Sequence, residues 1–377
     1  MSMDLHSQDA IDQLQALIQK VVDKDPFLQT TFQNVHQGYV TQNLTRFLKA
    51  RDWDPSKAYQ MLLDCLNWRV QNQIDNILSV SLHIISYLIS ASSAVNFEVA
   101  NYSIASHMFV WRFLFQKPIL PADLYRTIRD SQLIGVSGYT REGLPVFAIG
   151  AGLSTFDKAS VHYYVQSHIQ INEYRDRVVL PSASKKHGRP ITTCVKVLDM
   201  TGLKLSALNK IKLLTIISSI DDQNYPEKSH TYYIVNAPYV FSACWKVVKP
   251  LLQERTRRKV QVLPGCGRDE LLKIMDYPSL PHFCRKEGSG SSRHLEGGNK
   301  NCYSLDHPFH QQLYNYINQQ ARLHEVVAPI KQGSFHVEFP EPPDVDTRIA
   351  KTIESEFDGL TLNGDKEQLN NCTGRQA

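Results

Sequence analysis

The chain has 377 residues, 42% of them hydrophobic and 21% charged, with a net charge of +4. This composition suits a globular protein of two or three units. It is too mildly basic to imply nucleic acid, but it is compatible with attraction to an anionic membrane surface. The seven cysteines, at 65, 194, 244, 266, 284, 302 and 372, are odd in number and form no CxxC pair. That argues against a zinc site or a disulfide framework and for a reducing, cytoplasmic setting. The N-terminal MSMDLHSQDA carries Asp4 and Asp9 and no apolar run, so it does not read as a signal peptide.

Residues 8–35 read as one helix with Ile11, Leu14, Leu17 and Ile18 on one face. A second helix begins near Thr41, with Leu44, Phe47 and Leu48 at i, i+3, i+4. Asp54-Pro55 reads as N-cap and first residue of a third helix that packs through Ala58, Met61, Leu62, Cys65 and Leu66. Between Asp75 and Arg112 the one charged residue is Glu98. The run Ile77 to Val95 is long enough to span a bilayer, at ~20 residues. Its six serines, histidine and tyrosine favour a buried or surface-lying apolar insertion instead.

From Ser131 strands alternate with helices. Strands are expected at Leu144–Gly150, Thr193–Met200, Tyr232–Asn236 and Lys259–Leu263. Helices are expected at Lys158–Val179, Ser206–Ile220 and Val240–Leu252, another beginning at Asp269–Met275, and Pro181–Pro190 reads as a polar loop. This rhythm predicts an α/β fold with a mainly parallel, mixed sheet. Gly288–Asn301 reads as a linker, His307–Val326 as an amphipathic helix using Phe309, Leu313, Tyr316 and Ile317, and the remainder as largely disordered. The expected units are a helical module over 1–130 holding the insertion at about 79–116, an α/β unit over 131–287, and a linker, short helix and tail over 288–377.

GAGLST at 150–155 stands where a dinucleotide loop would, but Thr155 replaces the third glycine, so a plain turn explains it better. There is no P-loop, GxSxG or HExxH, and His162 and His168 lack ligand-spaced partners on their helix. No catalytic constellation and no cofactor site emerges, and an enzyme is not expected. The helix Val240–Leu252 places Val240, Phe241, Cys244, Trp245, Val248, Leu251 and Leu252 around most of its girth, interrupted by Lys246 and Lys249. A core helix would look the same, but the lysines suit a helix that meets a ligand cavity or lipid. Glu227 precedes one strand and Lys259 opens another. If the strands are neighbours the two side chains meet, as a structural ion pair or as a site for phosphate and hydroxyl groups.

These residues carry a resemblance. TRFLKARDWDPSKAYQMLLDCLNWR at 45–69, LPVFAIG, VKVLDMTG, QNYPEK, YYIVNAP with Phe241, and KPLL followed by Thr256 and Lys259 resemble, in order, the CRAL-TRIO family, and within it the phosphatidylinositol/phosphatidylcholine transfer proteins of the plant-like cytosolic-factor type. The resemblance covers roughly 40–75 and 117–284, and the segment 79–116 has no counterpart in it. It implies an N-terminal helical module and an α/β/α lipid-binding domain, with one phospholipid in an apolar pocket gated by Pro238–Leu252. It implies headgroup contacts from Glu227, Lys259, Arg51, Lys228 and Thr256. Where the family's choline-lipid site has hydroxyls, this chain has Cys194, Lys196 and Asp221, which favours phosphatidylinositol over phosphatidylcholine. The expected activity is therefore non-enzymatic phospholipid transfer by a monomer. It would work in the cytoplasm and transiently at a membrane surface, and would present lipid to membranes or to a lipid kinase. A carrier of a tocopherol or retinoid is the second reading. Glu227 and Lys259 argue against it, because such ligands have no phosphate.

Overall fold

The computed structural model describes residues 5–77, 122–285 and 301–323. The expected insertion, linker and tail fall mainly outside the described residues. Four helices open the chain: α1 Leu5–Val22, α2 Pro26–His36, α3 Val40–Lys49 and α4 Pro55–Gln71. The single helix expected over 8–35 is two. Asp25 caps α2, accepting from the Phe27 and Leu28 amides, and Pro26 supplies a ring but no amide donor, so the ladder of α1 cannot run through it. Asp54 caps α4 in the same way, accepting from the Ser56 and Lys57 amides. Ile11, Leu14 and Ile18 pack with Phe47, Leu48, Leu62 and Leu66 into a core belonging to these helices. Each such side chain removed from water contributes about 2 kcal/mol.

After α5 (Ala122–Arg129) come five strands: β1 Ile134–Tyr139, β2 Pro145–Ile149, β3 Cys194–Asp199, β4 Ser229–Val235 and β5 Val260–Val262. They lie in the order β1-β2-β3-β4-β5. β1 is antiparallel to β2, and every later pair is parallel, so the sheet is mixed and mainly parallel. β1 was not anticipated from the sequence: its IGVSGY is mostly half-buried, without a run of large apolar residues.

The β2–β3 connection is α6 (Val161–Tyr174), a π-helical turn at Arg175–Val179 and α7 (Leu180–His187). The helix expected over 158–179 therefore starts later and ends in the wider turn. The loop expected at 181–190 is mostly helix: Pro181 lies in its first turn, Leu180, Ala183 and Ser184 are buried at i, i+3, i+4, and Gly188 closes it at φ 62°. Its many polar residues simply face solvent. The β3–β4 connection is a 3-10 turn (Leu205–Lys210) and α8 (Ile211–Asn224), where one helix over 206–220 was expected. β4 and β5 are joined by α9 (Phe241–Val248), a 3-10 turn (Lys249–Leu251) and α10 (Glu254–Arg257). The helix expected over 240–252 thus stops at Val248, because Pro250 cannot donate to the ladder. α11 (Arg268–Leu272) and α12 (Pro308–Leu323) are the last two described α-helices, with short 3-10 turns at Tyr277–Ser279 and His282–Cys284 between them.

One face of the sheet sets Phe147 and Cys194 against Tyr164 of α6, Leu213 and Ile216 of α8, and Phe309 and Leu313 of α12. The opposite face packs Val146, Val195 and Val197 against Leu180, Ala183, Leu271 and Phe283. Gly135 is where the stretch before α12 crosses β1: a Cβ there would lie 1.9 Å from the Cys302 carbonyl oxygen.

Candidate functional site

At the N-terminal edge of β4 and β5 the chain gathers a cluster of mostly part-buried charges. β4 and β5 are neighbours, with Tyr232 opposite Val260, so the turn before β4 and the residue before β5 share one end of the sheet. There Lys259 Nζ donates to Glu227 Oε2 at 2.6 Å and to the Ser229 carbonyl at 3.1 Å. Glu227 Oε1 faces Arg255 Nε at 3.6 Å. Glu227 holds φ at +57°, a left-handed conformation that costs a residue with a side chain about 1 kcal/mol. The Pro226-Glu227 turn aims the carboxylate at the lysine.

These groups open a cleft of about 380 Å³ with its solvent mouth included. Glu227, Lys259, Lys228 and Thr256, all expected at one site, line it together. Arg51 does not line it. Its Nη1 donates to the Ala50 carbonyl at 2.9 Å, and Arg255 Nη1 donates to the same oxygen at 2.6 Å. Burial and the neighbouring Arg255 lower the pKa of Arg51. The end of α3 is thereby tied to the rim of the cleft.

The inner end of the cleft holds Lys196 and Asp221, which stand where the family has hydroxyls, together with Arg175, which chain reading left without a role. β3 and β4 pair Lys196 with Tyr232, and the Lys196 ammonium sits 5.3 Å from the centre of that ring. Its Nζ is 3.7 Å from Asp221 Oδ2. Asp221 Oδ1 meets His168 Nε2 at 2.7 Å and accepts from Asn172 Nδ2 at 2.8 Å. Burial works to raise the Asp221 carboxyl, but His168, Lys196 and Arg175 outweigh it and hold the group far below the usual carboxylate range. Nearby Asp222 is pushed up to about 6, by burial first and then by Asp221, against the opposing pull of Arg255. From the π-helical turn, Arg175 Nε donates to Asp176 Oδ1 at 2.7 Å, and Lys228 Nζ meets Asp176 Oδ2 at 2.9 Å. A signal for this end did exist. Lys196 stands mid-strand in TCVKVLD, and a charge within a parallel strand covered on both faces needs a reason.

The apolar helix is placed differently. Cys244 and Val247 of α9 are buried against Leu208, with Leu203, Leu205, Ile211 and Val240 packed around them. Phe241 and Trp245 stack at 5.9 Å and are half-buried, as are Val248, Leu251 and Leu252. Val240 is the residue just before the helix, not part of it. The turn after α9 leads into α10, whose Arg255 and Thr256 line the cleft. The helix is short: its core contact is three buried residues, a small pad beside the main cores. GAGLST forms a turn in which Gly152 N donates to the Asp199 carbonyl, with no helix directly after it. Among the described residues no group of three His, Cys, Asp or Glu is placed to hold a metal ion, and no helix is long and apolar enough to cross a membrane.

Known proteins are similar to this chain. Residues 129–284 match the CRAL/TRIO domain and residues 10–64 the CRAL/TRIO N-terminal domain. The phosphatidylinositol/phosphatidylcholine transfer protein SFH9 of Arabidopsis thaliana is 28% identical over 265 residues, which are 67% of this chain and 39% of that protein. A second Arabidopsis thaliana protein of that description, SFH12, is 27% identical over 74% of this chain and 44% of its own length. The SEC14 cytosolic factor of Eremothecium gossypii is 25% identical over 68% of this chain and 71% of that protein. The chain thus spans about two fifths of the Arabidopsis proteins. The crystal structure of Sfh5 superposes with a TM-score of 0.51 at 16% identity, covering 85% of this chain and all of that one, a likeness of fold. The two domain matches together take in more than half of the residues, and the chain belongs to the CRAL/TRIO family.

Proposed function

We propose that this protein binds phosphatidylinositol and transfers it between membranes, without catalysing a reaction on it. One observation carries the reading: Glu227 and Lys259, far apart in sequence, meet at 2.6 Å in an ion-lined cleft. Lysine and Arg255 there suit a phosphate, and the carboxylate suits the hydroxyls of a polyol. The relatives' names agree, since they are phosphatidylinositol/phosphatidylcholine transfer proteins. Phe241, Cys244, Trp245, Val248, Leu251 and Leu252, with Val240 at the helix start, serve as gate and acyl-chain surface in this reading. Each buried acyl CH₂ returns about 0.8 kcal/mol toward the cost of leaving the bilayer. Because α9 rests on a small pad, it is the element suited to swing aside for exchange. The protein then acts as a monomer that visits membrane surfaces from the cytoplasm and hands lipid to them or to a lipid kinase. A tocopherol or retinoid carrier has no use for this charge.

The test is transfer of labelled phosphatidylinositol and phosphatidylcholine between vesicles, by the wild type and by Glu227→Ala and Lys259→Ala. Each substitution is expected to lower inositol-lipid transfer roughly tenfold, the worth of one charge-assisted hydrogen bond. A folded wild type that moves neither lipid refutes the proposal.

A further inference from the structure

A second cavity opens between the turn from α2 to α3 and the start of α7. It encloses about 370 Å³ with its solvent mouth included. Tyr39, Asn43 and Arg46 line one wall, and Leu180, Ser184 and Thr192 the other. Among the described residues Lys228 alone lines both this cavity and the cleft at β4 and β5. Asn43 and Arg46 stand three residues apart on α3, so their side chains share a face. Both are buried, Asn43 at 1% exposure and Arg46 at 8%. Asn43 Nδ2 donates to the Val35 carbonyl at 3.3 Å, but its Oδ1 is buried with no partner. Among the described residues the Arg46 guanidinium has neither a hydrogen-bond acceptor nor an ion-paired carboxylate. Burial lowers its pKa to about 10, against the attraction of Asp176. That carboxylate is already spent, with Oδ1 accepting from Arg175 Nε at 2.7 Å and Oδ2 meeting Lys228 Nζ at 2.9 Å. A guanidinium carries five donors, and buried donors are as a rule bonded, so Arg46 calls for an acceptor from outside the chain.

We propose that Arg46 and Asn43 bind inorganic hydrogen phosphate in this cavity, between the helical module and the α/β unit. The pair asks for two things at once: negatively charged acceptors for the guanidinium, and a donor for Asn43 Oδ1. Hydrogen phosphate supplies both, since near neutral pH it keeps one P–OH beside its ionised oxygens. The planar guanidinium takes two of those oxygens side by side, a geometry that a lysine does not offer. Sulfate and a phosphodiester have no such O–H, so either would leave the amide oxygen unpaired. This sets the cavity apart from the headgroup cleft, where the lipid phosphate is a diester. Arg46 belongs to α3, whereas Asp176, Leu180 and Ser184 belong to the π-helical turn and α7. An anion seated between them ties the two units together, and its binding is read as stability of the chain.

Thermal melts of the full chain at neutral pH, in phosphate and in sulfate of equal ionic strength, test this. Sulfate controls for the general strengthening of burial that both anions exert. Phosphate is expected to raise the wild-type melting temperature a few degrees above sulfate. In Arg46→Met, which removes the guanidinium, that difference is expected to vanish. Should Arg46→Met fold poorly, Asn43→Asp sets a carboxylate on the same face of α3, and the difference is expected to vanish there too. Glycerophosphoinositol, a soluble diester, is the probe for the other cleft, and its effect is expected to be the same in the wild type and in either variant. No phosphate difference in the wild type means that the cavity holds solvent, and overturns the proposal. A difference that survives both substitutions places the anion elsewhere and overturns it as well. So does a glycerophosphoinositol effect lost in either variant, because the cavity would then be part of the headgroup site.

Discussion

At the scale of single residues, function and stability separate at Glu227. Its pairing with Lys259 is partly exposed, with side chains 16% and 26% accessible, so breaking it costs about 1 kcal/mol or less. The backbone pulls the other way, since φ of +57° strains any residue with a Cβ. Glu227→Gly relieves that strain and removes the carboxylate. It is expected to melt at or above Glu227→Ala while transferring inositol lipid as poorly, and thermal melts beside transfer assays check both. Glycine melting clearly below alanine would show that the turn is unstrained. Glu227 and Lys259 were legible as a pair because each sits beside a recognisable strand, while spacing alone favoured a structural ion pair and their headgroup role came from the family resemblance. Chain reading missed Arg175 and Asp176 because it ran one α-helix through 158–179. The π-helical turn shifts the phase at Arg175, so successive residues serve different neighbours: Arg175 the cleft, Asp176 Lys228, and Arg177 the Glu173 carboxylate.

At the scale of elements, strands were legible where their residues were apolar, and helices where an apolar stripe ran through them. β2 to β5 fall within a few residues of expectation, whereas half-buried β1 carried no pattern to read. The helix over 180–187 was hidden by its lysines and serines, and only Leu180, Ala183 and Ser184 turn inward. α9 was legible as apolar but not in extent, because the break at Pro250 is a matter of hydrogen bonding. Its pad makes a prediction. Leu208→Ala removes the side chain against which Cys244 and Val247 of α9 are buried, at a cost of about 2–3 kcal/mol in a site that relaxes only partly. That loss falls on the docked state of the gate, so lipid exchange is expected to speed up several-fold while the melting temperature drops a few degrees. Slower exchange with the same thermal loss would mean that α9 does not gate.

At the scale of the whole molecule, two buried arrangements join the parts, and both have a sign that can be tested. Arg69 of α4 makes a paired bond to Glu173 of α6, with both distances 2.8 Å, and a further pair with Asp75; Arg177 and Tyr225 also bind Glu173. Burial works against the Glu173 carboxylate, yet Arg69 and Arg177 bring its pKa down to about 2. Arg69→Met leaves that buried carboxylate to Arg177 and Tyr225 alone and is expected to cost about 3 kcal/mol, read by denaturant unfolding.

The second arrangement fastens the segment around α12. His310 Nε2 bonds the Ile134 carbonyl at 2.8 Å, and His282 Nδ1 meets Cys302 Sγ at 3.2 Å. Burial first, and nearby arginines after it, lower His310 to about 3 and His282 to about 4. In the unfolded chain both take up a proton near the ordinary 6.5, well before the folded protein does. Their contribution is thus complete above pH 6.5 and declines as pH falls toward 4 and 3. Each histidine removes up to about 1.4 kcal/mol per pH unit in that window. Between pH 7 and 5.5 the denaturant midpoint should fall, and it should fall less in His310→Gln, which cannot take up the proton. Glu173 adds nothing to that loss, because its own window opens only below about 4.5. Equal pH slopes for the wild type and His310→Gln would mean that α12 is not held by a neutral imidazole. A steeper loss below pH 4.5 in both belongs to the carboxylates whose pKa the fold holds down, Glu173 and Asp221 among them.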